Sequence, residues 1–288
     1  MKHLLLIVGL IMALGCETTP LEVSIPQQQQ KTVVFSQVIP DRVMVVALTK
    51  SFEALALQEE EGDSISTGFL SNLLEDNAEV TISYDGHSDT LQQIEKGLYA
   101  SISTPQNSGV LYSLKIRNDR GELVSAEGYM LPKVDFKTIK PKVNVSDDDT
   151  TIIIDYSFED KPEERNWYMI NFYKRGRNLE GLDVNTIFSN GQNNLVHTEI
   201  ISDATFGGVY FGKNEFDGLQ ISPNDTIAVS LSNIDEEYFK FLDLRKRGGN
   251  LFSEITREPI SYPTNVTNGY GFFNTHSPDI EFFDLNKY

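Results

Sequence analysis

From Thr32 onward the apolar residues of this chain recur mostly at every second position. A period of two is satisfied by strands that bury one face and wet the other. Val80, Ile82 and Tyr84 alternate with Glu79, Thr81 and Ser83, and Tyr112, Leu114 and Ile116 with Ser113, Lys115 and Arg117. Ile152, Ile154, Tyr156 and Phe158 make a third stripe, and Tyr168, Ile170 and Phe172 a fourth. Turn signals punctuate the stripes at Asp85-Gly86, Asn118 to Gly121, Asn190-Gly191 and Asp217-Gly218. Such alternation is the habit of antiparallel sheets. With no regular exchange of strand and helix, it argues against a doubly wound or barrel α/β fold.

One helix stands out near 233–247. Ser232 is placed to cap it, and Asp235, Glu236 and Glu237 fill its first turns. Ile234, Tyr238, Phe241 and Leu242 form its apolar stripe, and Arg245, Lys246 and Arg247 precede a stop at Gly248-Gly249. A weaker helical segment, Phe69 to Leu74, lies in the acidic, strand-poor stretch from Glu53 to Asn77. At 288 residues the chain is long enough for two modest domains. The boundary falls between Pro132 and Asp149, where four lysines and Pro141 lead into Asp147-Asp148-Asp149. The sequence therefore predicts a mainly β protein of two β-sandwich-like domains, 32–136 and 150–288, joined by a linker at 137–149, with the helix in the second.

The N-terminus reads as an address. Lys2 and His3 precede an unbroken apolar run from Leu4 to Leu14, too short to span a bilayer, which takes about 20 helical residues. It matches the core of a secretory signal. The run closes on Ala13-Leu14-Gly15-Cys16, and Cys16 is the sole cysteine of the chain. A small residue before a lone Cys at this place resembles a bacterial lipobox. Cleavage between Gly15 and Cys16 and acylation of the thiol are expected, giving a signal peptide at 1–15. Residues 16–31, with Pro20, Pro26 and Gln27 to Gln30, read as a polar tether.

Acidic side chains number 42 against 24 basic, for a net charge of −18. That balance opposes nucleic-acid binding, which needs clustered Lys and Arg to displace counterions from phosphate. The run Gly207-Gly208-Val209-Tyr210-Phe211-Gly212-Lys213-Asn214 matches a phosphate loop only as far as Gly-Lys, since Asn214 stands where Ser or Thr would hold magnesium. It reads as a Gly-rich turn followed by strand aromatics. His87, His197 and His276 are far apart in sequence and are expected as solvated surface imidazoles. Asp147-Asp148-Asp149 lacks the Gly and terminal Glu of a calcium loop. No catalytic residue, metal ligand or cofactor is expected, and the protein is read as a non-enzyme. Tyr262, Tyr270, Phe272, Phe273, Phe282, Phe283 and Tyr288 cluster late. They are expected mainly as core and edge packing, with stacking on sugar or contact with a partner as the alternative.

A family resemblance rests on ordered motifs across about 31–276. Val33-Val34-Phe35, Ala78 to Ile82, Gly97-Leu98-Tyr99 and Gly109 to Leu114 mark the first half. Phe158-Glu159-Asp160-Lys161-Pro162, Glu164 to Tyr168, Asp235 to Leu242 and Pro263 to Phe273 mark the second. Together they resemble a Bacteroidota outer-membrane lipoprotein family of uncharacterised function, usually encoded beside TonB-dependent receptors. The resemblance implies an Ig- or transthyretin-like first sandwich, a second β-rich domain, and no assigned catalytic residue. It implies a lipid-anchored outer-membrane accessory whose partner is a TonB-dependent transporter in nutrient capture. A stand-alone glycan-binding surface lipoprotein is the alternative, and an unrecognised hydrolase a weaker one. The phylum's O-glycan pattern falls on Ser64, Thr90, Thr150 and Thr226, each after an Asp; an Asp-Thr pair beginning a strand after a turn is the competing explanation.

Overall fold

The computed structural model describes residues 30–39, 43–51, 72–146, 150–161, 164–175, 195–248 and 262–288. Gly15, Cys16, most of the tether, Ser64 and the Asp147-Asp148-Asp149 run lie outside the described residues.

The protein is mainly β, and its described residues form four sheets paired into two sandwiches. In the first sandwich one sheet runs β16-β1-β2-β6-β5, made of Tyr270–Phe272, Thr32–Ile39, Val43–Lys50, Leu98–Ser101 and Gln92–Glu95. The facing sheet runs β15-β8-β7-β3-β4, made of Val266–Thr267, Leu123–Tyr129, Leu111–Arg117, Glu79–Tyr84 and His87–Thr90. All pairings here are antiparallel except β1 with β16. The second sandwich packs β13-β10-β9 (Val209–Asp217, Thr150–Glu159, Phe136–Val145) on β12-β11-β14-β17 (Leu195–Ser202, Trp167–Arg175, Thr226–Ile234, Asp279–Asp284).

The four alternating stripes account for the cores. Val80, Ile82, Tyr112, Leu114 and Ile116 share one buried cluster, and Ile152, Ile154, Tyr156, Phe158, Tyr168, Ile170 and Phe172 share the other. Each such side chain contributes roughly 1.5–3 kcal/mol by leaving water. Their polar neighbours turn outward because successive side chains on a strand take opposite faces.

The helix α1 spans Glu236–Gly248. Its cap differs from the expected Ser232. β14 continues to Ile234, which pairs with Trp167, so Ser232 sits in a sheet ladder opposite Met169. Asp235 takes the cap instead, its Oδ1 accepting the Tyr238 amide at 2.8 Å. Only the last residues of the weaker helical segment are described, Asn72 and Leu73 in helical form and Leu74 bridged to Thr49.

The predicted domain limits need two corrections. Residues 137–149 are not a linker: β9 occupies Phe136–Val145 and pairs with β10 along its length. The second domain is not a continuous 150–288 either. After α1 the chain returns to the first sandwich as β15 and β16, then crosses back to the second as β17. Glycine makes the return possible. At Gly271, φ is +89°, and a Cβ there would lie 2.1 Å from the Val34 carbonyl oxygen.

Polar side chains fasten the crossings. Ser36 Oγ donates to the Asn274 carbonyl and accepts its amide, both at 2.7 Å, while Asn274 Nδ2 donates to the Ser36 carbonyl at 3.0 Å. Asp279 accepts from the Phe136 amide and from Lys133 Nζ, each at 2.9 Å. The sandwiches are thus interlaced at a polar junction.

Candidate functional site

At that junction lies a cavity of about 520 Å³, within the size range of small-molecule sites. Its floor is the outer face of the β12-β11-β14-β17 sheet, presenting Met169, Asn171, Tyr173, Thr198, Ser230 and Ser232. The helix α1 covers it with Tyr238, Leu242, Arg245 and Lys246. The returning segment supplies Asn274, His276, Pro278 and Ile280, and Ser36 and Gln37 of β1 close the end.

Strand alternation explains the polar floor. On β14 the inward Ile227, Val229 and Leu231 join the core, so the intervening Ser230 and Ser232 must face out. Both are nevertheless buried, under the helix and the return segment. Thr198 Oγ1 donates to Asn171 Oδ1 at 2.7 Å. Burial pushes the Tyr173 hydroxyl pKa up, opposed by hydrogen bonds from Ser230 and Asn171.

Among the described residues, three buried polar atoms on the lining of the cavity have no partner: Ser232 Oγ, Asn274 Oδ1 and His276 Nδ1. A buried polar atom left unmet costs about 1–3 kcal/mol, and unmet groups are rare enough in native proteins to need a reason. His276 is half-buried as a residue, and its Nδ1 is out of solvent. Burial alone pushes its pKa down to about 4, so the imidazole is neutral. It stacks on Tyr238, centroids 6.0 Å apart. Burial also lifts Tyr238 to about 12, against the pull of the Arg245 cation.

The histidines correct an expectation. His87 is exposed on β4, but His197 and His276 both line the cavity. His197 packs at the β12 edge beside Phe172 and Phe216, at 6.0 and 6.3 Å, and burial together with Lys246 lowers its pKa. The two lie on different elements far apart in sequence, so no local motif could pair them. The missed floor residues did leave a trace, namely the small polar Ser230 and Ser232 alternating outward on a strand that runs straight into a helix.

Other singled-out residues have structural places. Gly212 lies in β13 beneath the Tyr156 ring, where a Cβ would fall 2.2 Å from Cζ, and Asn214 Nδ2 donates to Glu199 at 2.8 Å. The phosphate-loop segment is therefore a turn and a strand. Asp160, from the Phe158 to Pro162 motif, accepts from the Tyr168 hydroxyl and from Asn166 Nδ2. Thr90 ends β4 and is exposed, while Thr150 and Thr226 begin β10 and β14 and are half-buried. Of the late aromatics, Phe273 is in the first core, and Tyr262 and Phe272 pack on Phe241 of α1. Tyr270, Phe282 and Tyr288 are exposed, Tyr270 on the first sandwich and Phe282 on the second.

Two interlaced antiparallel sandwiches, with a covered cleft where they meet, place the protein among two-sandwich β proteins. The chain belongs to the family described as a domain of unknown function (DUF4249), whose model matches residues 18–279. Among solved structures it is similar to the two fibronectin type-III domain segment from chicken tenascin, at 8% identity and a TM-score of 0.22, over 71% of this chain and 91% of that one. No curated protein matches the sequence.

Proposed function

We propose that this protein is a lipid-anchored binding protein of the outer membrane, which holds a small molecule in its junction cleft and serves a TonB-dependent transporter in nutrient capture. The observation that carries the binding role is the cleft itself, a cavity of about 520 Å³ whose lining residues include Ser232, Asn274 and His276, each holding a buried polar atom that no described residue satisfies. A cavity of that size beside unmet polar groups is the usual setting of a small-molecule site. The anchor is supported by the apolar run ending at Gly15-Cys16 and by the polar tether after it. Several acyl chains, at ~0.8 kcal/mol per buried methylene, hold a protein stably to a bilayer. The transporter partnership is supported by the ordered motifs resembling the receptor-associated lipoproteins. Capture, rather than turnover, is the role assigned.

Tyr288 is exposed and offers a place for an affinity tag. Gentle solubilisation of outer membranes from cells bearing the tagged protein, followed by mass spectrometry, is expected to recover a stoichiometric TonB-dependent receptor. A protein that comes down alone replaces the accessory role with a stand-alone ligand-binding one. In parallel, Cys16→Ala is expected to release the protein from the membrane fraction or leave it unprocessed; unchanged fractionation removes the lipid anchor.

A further inference from the structure

We infer that the junction cleft takes a small organic anion: an acid group on an apolar body, with the acid toward Arg245 and Lys246. This rests on the binding role proposed above and names the chemistry of its ligand.

The chain carries 42 acidic residues, yet no described residue lining the cleft is Asp or Glu. Its charged lining residues are Arg245 and Lys246, and neither is paired with a carboxylate among the described residues. A cation in the last turn of a helix also complements the helix dipole, and that accounts for basic residues at these sequence positions. It does not account for their direction. Arg247, in the same turn, faces away and pairs with Asp243 at 2.7 Å, while its two neighbours line the cleft. Their fields reach inside it, since Arg245 acts on the Tyr238 hydroxyl and Lys246 on the His197 ring.

The remaining lining divides by chemistry. Met169, Ile200, Leu242, Pro278 and Ile280 give apolar walls, suited to a hydrocarbon or ring body. In a protein of net charge −18, the long-range field repels anions. An anion site in it therefore needs local, unpaired cations and a carboxylate-free wall, and among the described residues the cleft supplies both.

The test is calorimetric titration of the intact protein in lipid nanodiscs, with empty nanodiscs as the blank. The probes are 2-naphthaleneacetate and its neutral amide, which share one apolar body and differ in charge. The acid is expected to bind, with the amide about tenfold weaker or worse. Replacing both cleft cations (Arg245→Gln with Lys246→Gln) is expected to abolish that preference, and Arg247→Gln to leave it intact. All three positions are exposed, so melting temperature should not move. Ser232→Trp, which fills the cleft, should remove binding of both probes. Equal binding of acid and amide, unchanged in the double variant but lost in Ser232→Trp, overturns the anion inference and leaves the cleft as a binding site. Heat from neither probe overturns both.

Discussion

The two sandwiches solve the same packing problem with different side chains. The first fills its core mainly with aliphatics such as Val34, Val46, Leu48, Ile82 and Leu114, and Tyr99 and Tyr112 are among its few aromatics. The second is richer in rings, with Tyr156, Phe158, Tyr168, Phe172 and Phe216 among the aliphatics of its core and Phe206 and Tyr210 packed on it. Rings fill a wide inter-sheet space, but a buried tyrosine hydroxyl needs a partner. Glu199 supplies it for Tyr156 and Tyr210, and Asp160 for Tyr168. The pKa values of these hydroxyls rise through burial, reinforced by the nearby carboxylates. The helix and the cleft rest on the outer face of the ring-rich sandwich. The aliphatic one acts as a brace, its edge closed by β16.

The sharpest way to break this division is through the brace. Gly271→Ala puts a Cβ against the Val34 carbonyl at a backbone angle that L residues avoid. It is expected to cost about 3 kcal/mol or more, read by chemical denaturation, with amide exchange quickening first in β1 and β16. A loss below about 1 kcal/mol would mean that the returning strand is dispensable. In the ring-rich sandwich, Glu199→Ala leaves the hydroxyls of Tyr156 and Tyr210 and the amide of Asn214 without their shared acceptor. The expected cost is roughly 2–3 kcal/mol, with exchange quickening in β10 and β13 while the first sandwich keeps its protection. Uniform loss across both sandwiches would show that they unfold as one unit.

The smallest effect concerns His276. Its folded pKa is depressed to about 4, whereas an unfolded histidine titrates near 6.5. Between those values the unfolded chain takes up a proton that the folded one refuses. The stability present above about pH 6.5 therefore declines as pH falls and is fully lost below about 4. His197, lowered by burial and Lys246, acts in the same direction. Because His276 is only half-buried as a residue, its share is on the order of 1–2 kcal/mol. His276→Gln should flatten the stability profile between about pH 6.5 and 4 relative to wild type. Parallel profiles would show that the imidazole is not held neutral.

The misread linker shows where sequence reasoning loses its grip. Lys137, Lys140, Lys142 and Pro141 look like a solvated connection. In the structure they belong to β9, the outer strand of its sheet, where lysines meet water and a proline costs no ladder bond on the open side. The buried clues, Ile139 and Val143 packed on the second core, were outnumbered by the exposed face. The helix cap erred for a related reason. Ser232 has the chemistry of a cap, but pairing with β11 keeps it in the sheet, and Asp235 has the same chemistry a little further along.

What the sequence determined by itself was the local face of each element. Alternation at Ile152 to Phe158 and Tyr168 to Phe172 dictates which side is buried, and the acidic-to-basic order from Asp235 to Arg247 dictates a helix and its direction. Those are properties of neighbouring residues, and the backbone period enforces them. Tertiary structure alone decided which strands share a sheet. It sent β15 and β16 back to the first sandwich and so carried Asn274 and His276 to Ser36, Ser232 and His197. A cleft assembled from residues far apart in the chain has no local period to announce it, because its members are joined only by the path of the chain between two cores.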